Sequence, residues 1–329
     1  MRAFQVLSHE RSPELVEIIE PKPGRGEVML EILACGLNFA DLLMAKGTYQ
    51  ETPPAPFTLG LEVCGRVLEQ GEGVTHPPVG ARVALVGGSG GLAERGVFPA
   101  GACRIVPDAM PDTVAAGFQI AYGTSHLALT RRAQLRSGER LVVLGAAGGV
   151  GLTAVEVGKA LGAEVIAVAR GAEKLAIAKE AGADHLIDAE ADLTAAIKAL
   201  GGADVVYDPV GGAAFDAAFR ACNREARILS IGFASGEVPK VPANILMVKN
   251  ITVIGFYWGG YMKFAPDALL DSLSEVMAWY AEGRLKPHIS HVLPLERAGE
   301  ALALLSDRKA TGKVVVTPQS QSSFAAASS

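Results

Sequence analysis

Six short apolar segments alternate with helical patterns through the middle of this chain of 329 residues. Each segment is a nearly continuous run of apolar residues, which is typical of strands that are buried on both faces of a parallel sheet. Because helices separate the strands, the pattern predicts an α/β fold with a doubly wound parallel sheet. The six segments are RLVVLG, EVIAVA, HLID, DVVYD, ARILSIG and ITVIGF.

A different pattern precedes and follows these segments. The first third of the chain has short strand-like runs between Gly and Pro residues, which predict a mostly-β barrel, and one helix is expected at Phe39–Ala45. After Gly255 the alternation stops, yet HVLPL and GKVVV still have the character of strands. These two segments have no place in the parallel sheet, so we expect them to return to the first domain. The parallel sheet is then an insertion between two parts of a β domain.

Composition and charge argue against several classes of protein. Apolar residues make up 50% of the chain and charged residues 20%, which is typical of a globular protein whose cores need no metal or disulfide. The net charge of −5 comes with no basic stripe, which argues against nucleic acid or an anionic membrane as a partner. The four cysteines are far apart, and we expect free thiols in a reducing compartment.

The two ends of the chain carry no sign of export. The N-terminal segment MRAFQVLSHERSPELVEI lacks the apolar stretch of a secretory signal, and no run approaches the ~20 apolar residues of a membrane helix. A cytoplasmic location is therefore expected. The C-terminal segment SQSSFAAASS is small and polar, which predicts a frayed end.

A glycine-rich loop follows the first of the six segments, where LVVLGAAGGVG runs from Leu141 to Gly151. A strand precedes the glycines and a helix follows them, which is the context of a dinucleotide fingerprint. Glycine lets the backbone come close to a pyrophosphate, and the helix N-terminus offers unpaired N–H groups to that anion. The spacing is G-x-G-x-x-G with alanine as its first residue. It predicts a dinucleotide site formed by Ala146, Gly148, Gly149, Val150 and Gly151.

The end of the second segment indicates which dinucleotide is bound. NAD-binding chains usually have Asp or Glu there, and its carboxylate accepts a hydrogen bond from the ribose 2′-hydroxyl. This chain has Ala169 followed by Arg170, with Lys174 further on. A carboxylate repels a 2′-phosphate, whereas arginine can bind it with two parallel hydrogen bonds. The two cations predict NADPH as the cofactor; the alternative is that both charges are simply solvated.

Two short segments of the first domain resemble the zinc sites of the medium-chain dehydrogenase/reductase superfamily. They are Cys35-Gly36-Leu37-Asn38-Phe39-Ala40-Asp41 and Gly60-Leu61-Glu62. Zinc-dependent alcohol dehydrogenases have Cys-Gly-x-Cys-x-x-Asp and Gly-His-Glu there. Asn38 and Leu61 replace the two expected ligands, and leucine has no atom that binds zinc. Only Cys103 lies in the region where those enzymes have four closely spaced cysteines. We therefore expect no metal and no metal-assisted alcohol oxidation.

Four further motifs are similar to the zinc-free branch, which includes the NADPH:quinone oxidoreductases related to zeta-crystallin and the enoyl reductases. They are Asn38–Asp41 with Gly47-Thr48-Tyr49, the loop Ala146–Gly151, Asp208–Gly212, and Gly312–Val315. The resemblance covers the chain except its tail. It implies a GroES-like domain at 1–118 and 260–329 and a Rossmann domain that binds NADP at 119–259. It also implies a homodimer, because ITVIGF would otherwise leave an exposed sheet edge.

The resemblance also suggests residues of the active site. A small-molecule acceptor such as a quinone or a conjugated carbonyl develops charge on an oxygen when it accepts hydride, so a hydrogen-bond donor has to meet that charge. Tyr49 matches the tyrosine of the enoyl reductases and is the candidate donor; the alternatives are packing and contact with the cofactor. Asn38 is the candidate that orients the nicotinamide, its ribose or the substrate oxygen; the alternative is a helix cap. Asp41 is expected to be a structural acceptor.

Other candidates are expected around the nicotinamide and the substrate. The residues expected beside the cofactor are Thr124, Phe233, Phe256 and Lys313. Tyr257, Trp258 and Tyr261 form a candidate aromatic wall for a flat substrate, with core packing as the alternative.

Three functions remain open from the sequence. The leading one is metal-free reduction of a quinone by hydride from NADPH. The first alternative is reduction of the activated double bond of an enone or an enoyl thioester, which involves the same residues. The second is a non-catalytic NADPH-binding protein with a structural or RNA-binding role, because a fold does not by itself establish turnover.

Overall fold

The computed structural model of the chain describes residues 1–318, and the C-terminal tail for which a frayed end is expected lies outside the described residues. The chain forms two compact units. The first unit holds Met1–Ile120 together with the chain from His288 onward, and the second holds Ala121–Pro287.

Strands and helices are distributed over both units. The strands are β1 (Arg2–Val6), β2 (Glu14–Glu17), β3 (Glu27–Gly36), β4 (Phe57–Thr58), β5 (Glu62–Gln70), β6 (Arg82–Val86), β7 (Arg95–Pro99), β8 (Arg104–Ile105), β9 (Arg140–Leu144), β10 (Glu164–Ala169), β11 (His185–Asp188), β12 (Ala203–Asp208), β13 (Cys222–Ser230), β14 (Thr252–Gly255), β15 (Ile289–Pro294) and β16 (Lys313–Thr317). The α-helices are α1 (Phe39–Ala45), α2 (Asp112–Ala115), α3 (Gln119–Leu127), α4 (Gly149–Ala160), α5 (Ala172–Glu180), α6 (Leu193–Ala199), α7 (Gly212–Ala221), α8 (Ala243–Lys249), α9 (Trp258–Phe264), α10 (Pro266–Ala281) and α11 (Ala298–Ser306). A π-helical turn at Ala128–Arg132 continues α3, and 3-10 turns lie at Ala100–Ala102 and Leu295–Arg297.

The first unit is a mostly antiparallel β structure. Seven strands make one sheet in the order β15-β16-β3-β5-β6-β8, with β7 paired to β3, and β2-β1-β4 make a second sheet. β16 pairs antiparallel with β3 and parallel with β15. The segments HVLPL and GKVVV therefore return to the first unit, which confirms the prediction. Side chains of β1, β3, β16, α1 and α11 share one buried apolar cluster.

The second unit contains a sheet of six parallel strands in the order β11-β10-β9-β12-β13-β14. Numbered from β9, this is the order 3-2-1-4-5-6 of a Rossmann fold, in which the strand order reverses beside the first strand. Residues Leu141–Leu144 of β9 are completely buried, as expected for a strand at the centre of a sheet covered on both faces. The predicted doubly wound parallel sheet is confirmed.

Helix boundaries follow backbone geometry more closely than apolar periodicity. α1 has the predicted bounds, Phe39–Ala45. α4 begins at Gly149, because the last glycines of the loop already form the first helical turn. α10 begins at Pro266, because proline is favoured at the first helical position, where its missing N–H is not needed.

The four cysteines are buried free thiols. Burial raises the pKa of both Cys64 and Cys222 to about 12, so these thiols stay protonated at neutral pH. Within residues 1–318, none of the helices is both long and apolar enough to cross a membrane.

Candidate functional site

The loop between β9 and α4 turns sharply, and its glycines serve different purposes. Gly145 has a φ of +62°, a left-handed conformation that favours glycine. A Cβ on Gly151 would lie 2.2 Å from the carbonyl oxygen of Gly145, so no larger residue fits there. At Gly148 φ is −77°, and among residues 1–318 a Cβ would meet only the Gly145 oxygen, at 3.4 Å. Protein packing therefore does not require glycine at 148, and the open space beside it suits a ligand.

The first turn of α4 makes this loop an anion site. Gly148 is the N-cap, so the N–H groups of Gly149, Val150 and Gly151 lie in a turn where helix geometry provides no partner. The helix dipole adds partial positive charge at the same end. The loop also follows β9, beside the point where the strand order reverses, which is where open α/β sheets bind ligands. The geometry fits the diphosphate of a dinucleotide.

A buried hydroxyl network supports the loop from within the second unit. Ser125 on α3 donates to the carbonyl oxygen of Val150 at 3.0 Å, and its hydroxyl lies 2.8 Å from that of Thr153 and 3.2 Å from that of Tyr207. Ala146 is buried, and its N–H donates to a carbonyl oxygen of β10. These bonds hold the loop in its conformation. Sequence reasoning missed the network, because no local pattern connects hydroxyls from three separate segments.

The residues predicted to bind a 2′-phosphate lie after β10. Arg170 is exposed, and its Nε lies 3.8 Å from Oε1 of Glu190. Lys174 lies half-buried in α5. Asp188, at the end of β11, accepts a hydrogen bond from the N–H of Gly171 at 3.1 Å. Sequence reasoning missed both acidic residues, although parallel pairing of β10 with β11 brings the ends of these strands to the same edge.

Asp208 shapes the turn at the end of β12. Its side chain is completely buried, and Oδ1 accepts hydrogen bonds from the N–H groups of Val210 and Gly211 at 2.8 and 2.9 Å. Oδ2 has no hydrogen-bond partner in the part of the chain that the structure describes. Burial raises the pKa of this carboxyl, while the two N–H groups act in the opposite direction. The motif Asp208–Gly212 is therefore a tight turn tied together by its first side chain.

The candidates expected near the nicotinamide and the substrate differ in exposure. Four of them are buried inside the second unit: Thr124, Phe256, Trp258 and Tyr261. Phe256 and Tyr261 pack on each other, with ring centroids 5.6 Å apart. Tyr257 and Phe233 expose 39% and 41% of their surface. Of the three residues in the candidate aromatic wall, Tyr257 thus keeps most of the accessible ring surface.

Asn38 stands at the start of α1 in the first unit, beside a buried carboxyl. Its backbone N–H donates to Oδ2 of Asp41 at 2.8 Å, and Oδ1 of Asp41 accepts from the N–H of Gly60 at 3.2 Å. Burial raises the pKa of Asp41 to about 7, against the opposing effect of these N–H groups. Asp41 is a structural acceptor that ties α1 to the strand region before β5, as expected.

The side chain of Asn38 meets Lys313 and Glu62. Nζ of Lys313 lies 2.7 Å from Oδ1 of Asn38 and 3.0 Å from Oε2 of Glu62. Nδ2 of Asn38 donates to the same Oε2 at 3.2 Å. Glu62 is completely buried, and Lys313 is 6% exposed. Sequence reasoning selected Asn38 and Lys313 separately and missed the role of Glu62, which it treated only as the last letter of a motif.

Tyr49 lies just beyond the other end of α1. Its half-buried ring packs against the apolar cluster that contains Leu37, Met44 and Val314. Its carbonyl oxygen accepts hydrogen bonds from the N–H and the hydroxyl of Thr52. Tyr49 and Asn38 are therefore carried by opposite ends of one short helix.

Comparisons with known proteins agree with the folds of the first and second units. Residues 24–108 match the family model of the alcohol dehydrogenase GroES-like domain, and residues 149–275 match that of the zinc-binding dehydrogenases. A curated relative, the quinone oxidoreductase-like protein 2 homolog of Nematostella vectensis, is 39% identical over 300 residues, which cover 89% of this chain and 82% of the relative. The chain belongs to the medium-chain dehydrogenase/reductase superfamily.

Within the medium-chain dehydrogenase/reductase superfamily, the chain belongs with quinone oxidoreductase-like proteins. Quinone oxidoreductase-like protein 2 of Bos taurus is 37% identical over 313 residues, which cover 93% of this chain and 90% of the relative. The quinone oxidoreductase of Thermus thermophilus, whose crystal structures include a complex with NADPH, is 35% identical with a TM-score of 0.85. That similarity covers 96% of this chain and 100% of the other. The predicted fold class and superfamily branch are confirmed.

The zinc-ligand positions of the medium-chain dehydrogenase/reductase superfamily hold Asn38 and Leu61 in this chain. Leu61 is buried in the apolar cluster of the first unit, and the Asn38 amide is hydrogen-bonded to Lys313 and Glu62. Across residues 1–318, no three His, Cys, Asp or Glu side chains are grouped so that they can hold a metal ion. The donor set at these positions does not fit zinc.

Proposed function

We propose that the chain is an NADPH-dependent oxidoreductase that transfers hydride to a quinone without a metal ion. NADPH supplies the hydride when it is bound. The glycine loop carries the proposal, because Gly148 is glycine where packing does not demand it and the amides of the first α4 turn have no helical partner. The similarity to proteins named quinone oxidoreductases supports the class of acceptor.

The second unit contributes the groups that would hold the cofactor. The N–H groups of Gly149, Val150 and Gly151 bind the diphosphate, and Arg170 and Lys174 bind the 2′-phosphate by charge-assisted hydrogen bonds. The candidates for contact with the nicotinamide half are Thr124, Phe233 and Phe256.

The groups that act on the hydride acceptor are a separate part of the proposal. A tyrosine phenol is protonated at neutral pH, so Tyr49 can donate a hydrogen bond to the oxygen on which charge develops. Tyr257, Trp258 and Tyr261 are the candidate contacts for a flat acceptor, and Tyr257 is the most exposed of them. Hydrogen bonding of this kind needs no metal, provided that the acceptor is already polarised.

Steady-state oxidation of NADPH tests the proposal. The purified chain is assayed with a naphthoquinone and an ortho-quinone, and in parallel with a 2-alkenone and an enoyl thioester. We expect turnover of at least one quinone, with a rate that a metal chelator does not change. Turnover of neither class of acceptor would contradict the proposal, and tightly bound zinc at one ion per chain would contradict its metal-free form.

Replacement of the Tyr49 hydroxyl separates quinone reduction from reduction of an activated double bond. Carbon protonation in an enone requires a positioned acid, so Tyr49→Phe is expected to lower kcat for that reaction by about 100-fold. A hydroquinone anion takes its proton from water, so with a quinone we expect kcat to change by less than about threefold. Tyr280→Phe in α10 removes the same hydroxyl elsewhere and is the matched control.

We also propose that two copies of the chain pair through β14. This strand is at the edge of the six-stranded sheet, and the preceding α8 exposes 69% of Met247 and 72% of Val248. Natural proteins usually cover such an edge. Light scattering at micromolar concentration is expected to give twice the mass of the chain, and a mass equal to one chain would rule out the dimer.

A further inference from the structure

The side chains of Lys313, Glu62 and Asn38 form a buried triad in the first unit. Oε2 of Glu62 accepts from both of the other members, and Oε1 accepts from the N–H of Ile120 at 3.0 Å, in the first turn of α3. The aliphatic part of the Lys313 side chain packs closely against Gly117: a Cβ added to Gly117 would lie 3.1 Å from Cε of Lys313. The ammonium and the carboxylate are therefore both held in fixed positions.

The chemistry of its two neighbours determines which way the Asn38 amide points. An ammonium group can only donate hydrogen bonds and a carboxylate can only accept them. Oδ1 of Asn38 must therefore face Lys313, and Nδ2 must face Glu62. The second N–H of Nδ2 donates to the carbonyl oxygen of Gly36 at 3.2 Å. Both amide protons are used inside the protein, so Oδ1, which also faces the backbone N–H of Asp41 in the capping box of α1, is the amide atom that can still meet a ligand.

We infer that Lys313 and Glu62 are positioning residues that hold Asn38 as a hydrogen-bond acceptor. The ligand group that meets Asn38 is then a donor, either a sugar hydroxyl or the carboxamide of the nicotinamide nucleotide. A quinone has no hydrogen-bond donor, so Asn38 orients the cofactor and does not stabilise charge on the hydride acceptor. The inference rests on the proposed function and divides the work of the site, with Asn38 serving the cofactor and Tyr49 the acceptor.

A double substitution removes the two groups that fix the amide without leaving an unpaired charge in the triad. Glu62→Gln with Lys313→Met removes one negative and one positive charge together. Oε1 of the new glutamine keeps the bond to Ile120, and its amide nitrogen replaces Oε2. Because that nitrogen only donates, it opposes the N–H groups of Asn38, while turning the Asn38 oxygen toward it would lose the bond to the Gly36 carbonyl oxygen. The double variant therefore no longer holds Oδ1 of Asn38 in place as an acceptor for the cofactor.

The test measures the Kd of NADPH by fluorescence titration, thermal unfolding, and kcat with a quinone. We expect the double variant to unfold near the wild-type temperature and to bind NADPH about 10-fold more weakly, the loss of one good hydrogen bond. Asn38→Ala should weaken the binding of NADPH to a similar extent. In the Asn38→Ala background, the double substitution should have no further effect on the Kd, because its action passes through the missing amide.

The outcomes separate this inference from the proposed function. A wild-type chain that does not bind or oxidise NADPH contradicts the proposed function. If the wild type does both, a double variant with the wild-type Kd for NADPH overturns the inference. The inference is also overturned if the double substitution raises this Kd equally in the wild-type and Asn38→Ala backgrounds. A double variant with wild-type Kd and a changed kcat for quinones would also overturn the inference, because Asn38 would then act on the hydride acceptor and not on the cofactor.

Discussion

The glycine loop and the Lys313–Glu62–Asn38 triad are built by opposite means. The loop consists of consecutive residues, and its chemistry comes from backbone amides and from the absence of side chains. The triad consists of three side chains whose residues are far apart in the sequence. Strand register brings them together, since Gly36 of β3 lies opposite Glu62 of β5 on one side and opposite Val315 of β16 on the other.

This difference determines how each region responds to substitution. The loop depends on shape, so an added methyl group should matter only where it meets backbone or a ligand. The triad depends on charge balance, so the loss of one member should matter more than the loss of two. Substitutions in the two regions can therefore be compared directly, first through stability and then through affinity for NADPH.

The largest effect is expected when the triad loses its cation. Lys313→Met leaves Glu62 as a buried carboxylate without a counter-ion, which we expect to lower the free energy of unfolding by about 3–5 kcal/mol. The double variant that also carries Glu62→Gln should recover most of this loss. Urea unfolding measures both, with Lys309→Met as an exposed control that should change stability by less than about 0.5 kcal/mol. A single variant as stable as the wild type would show that the charge balance is unimportant.

In the loop, two alanine substitutions are expected to separate packing from ligand binding. Gly151→Ala places a Cβ 2.2 Å from a backbone oxygen and should cost about 3 kcal/mol of stability. Gly148→Ala meets nothing closer than 3.4 Å, so its stability should stay within about 0.5 kcal/mol of the wild type. Its NADPH affinity should nevertheless fall about tenfold, because the methyl group points into the space for the diphosphate. Equal stability losses in both variants would contradict the different purposes assigned to the two glycines.

The loop and the parallel sheet were predictable because their signals are local. Continuous apolar runs indicate doubly buried strands, and the glycines after β9 indicate a backbone that approaches an anion. The return of β15 and β16 to the first unit was predictable as well, because the alternating pattern ends after Gly255. The resemblance to a known superfamily then connected motifs that no physical pattern links.

The triad and the Ser125 network were not predictable, because they depend on strand register and on which atoms face each other. Asn38 and Lys313 were chosen as candidates for their types and motifs, and nothing in the sequence showed that they bond to each other. Glu62 lies within a stretch that reads as a buried strand, where a carboxylate is an anomaly. The one sequence signal for a buried ion pair is that Lys313 and Glu62 both fall within buried strands, where charged residues are rare unless they are paired.

An intermediate effect is expected at Arg170, the exposed cation that follows β10. Arg170→Ala should raise the Kd of NADPH by about 10- to 100-fold, because a charge-assisted hydrogen bond to the 2′-phosphate contributes about 1.5–3 kcal/mol. The Kd of NADH should change much less, since it has no phosphate there. Fluorescence titration with both nucleotides measures the ratio, with Arg224→Ala at the start of β13 as the matched control. Equal changes for the two nucleotides would remove Arg170 from phosphate recognition.

The smallest effect is expected at Glu190, the acidic neighbour that sequence reasoning missed. Its carboxylate lies 3.8 Å from the Arg170 guanidinium, and both side chains are largely exposed. In the free protein this carboxylate competes for the guanidinium, and in the complex it repels a phosphate, but exposed pairs of this kind contribute only about 0.2–1 kcal/mol. Glu190→Gln should therefore lower the Kd of NADPH about two- to fivefold and leave the Kd of NADH unchanged.

The salt dependence of this gain distinguishes charge from packing. The repulsion acts through solvent and should fade when the screening length falls from about 10 Å at 0.1 M salt to about 3 Å at 1 M. Titrations of the wild type and Glu190→Gln at both salt concentrations should therefore converge at high salt. A gain that persists at 1 M salt, or that appears equally with NADH, would mean that Glu190 acts on the shape of the loop after β11. In that case the nucleotide region would depend on side-chain placement as the triad does, and the contrast between the two regions would be weaker than the structure indicates.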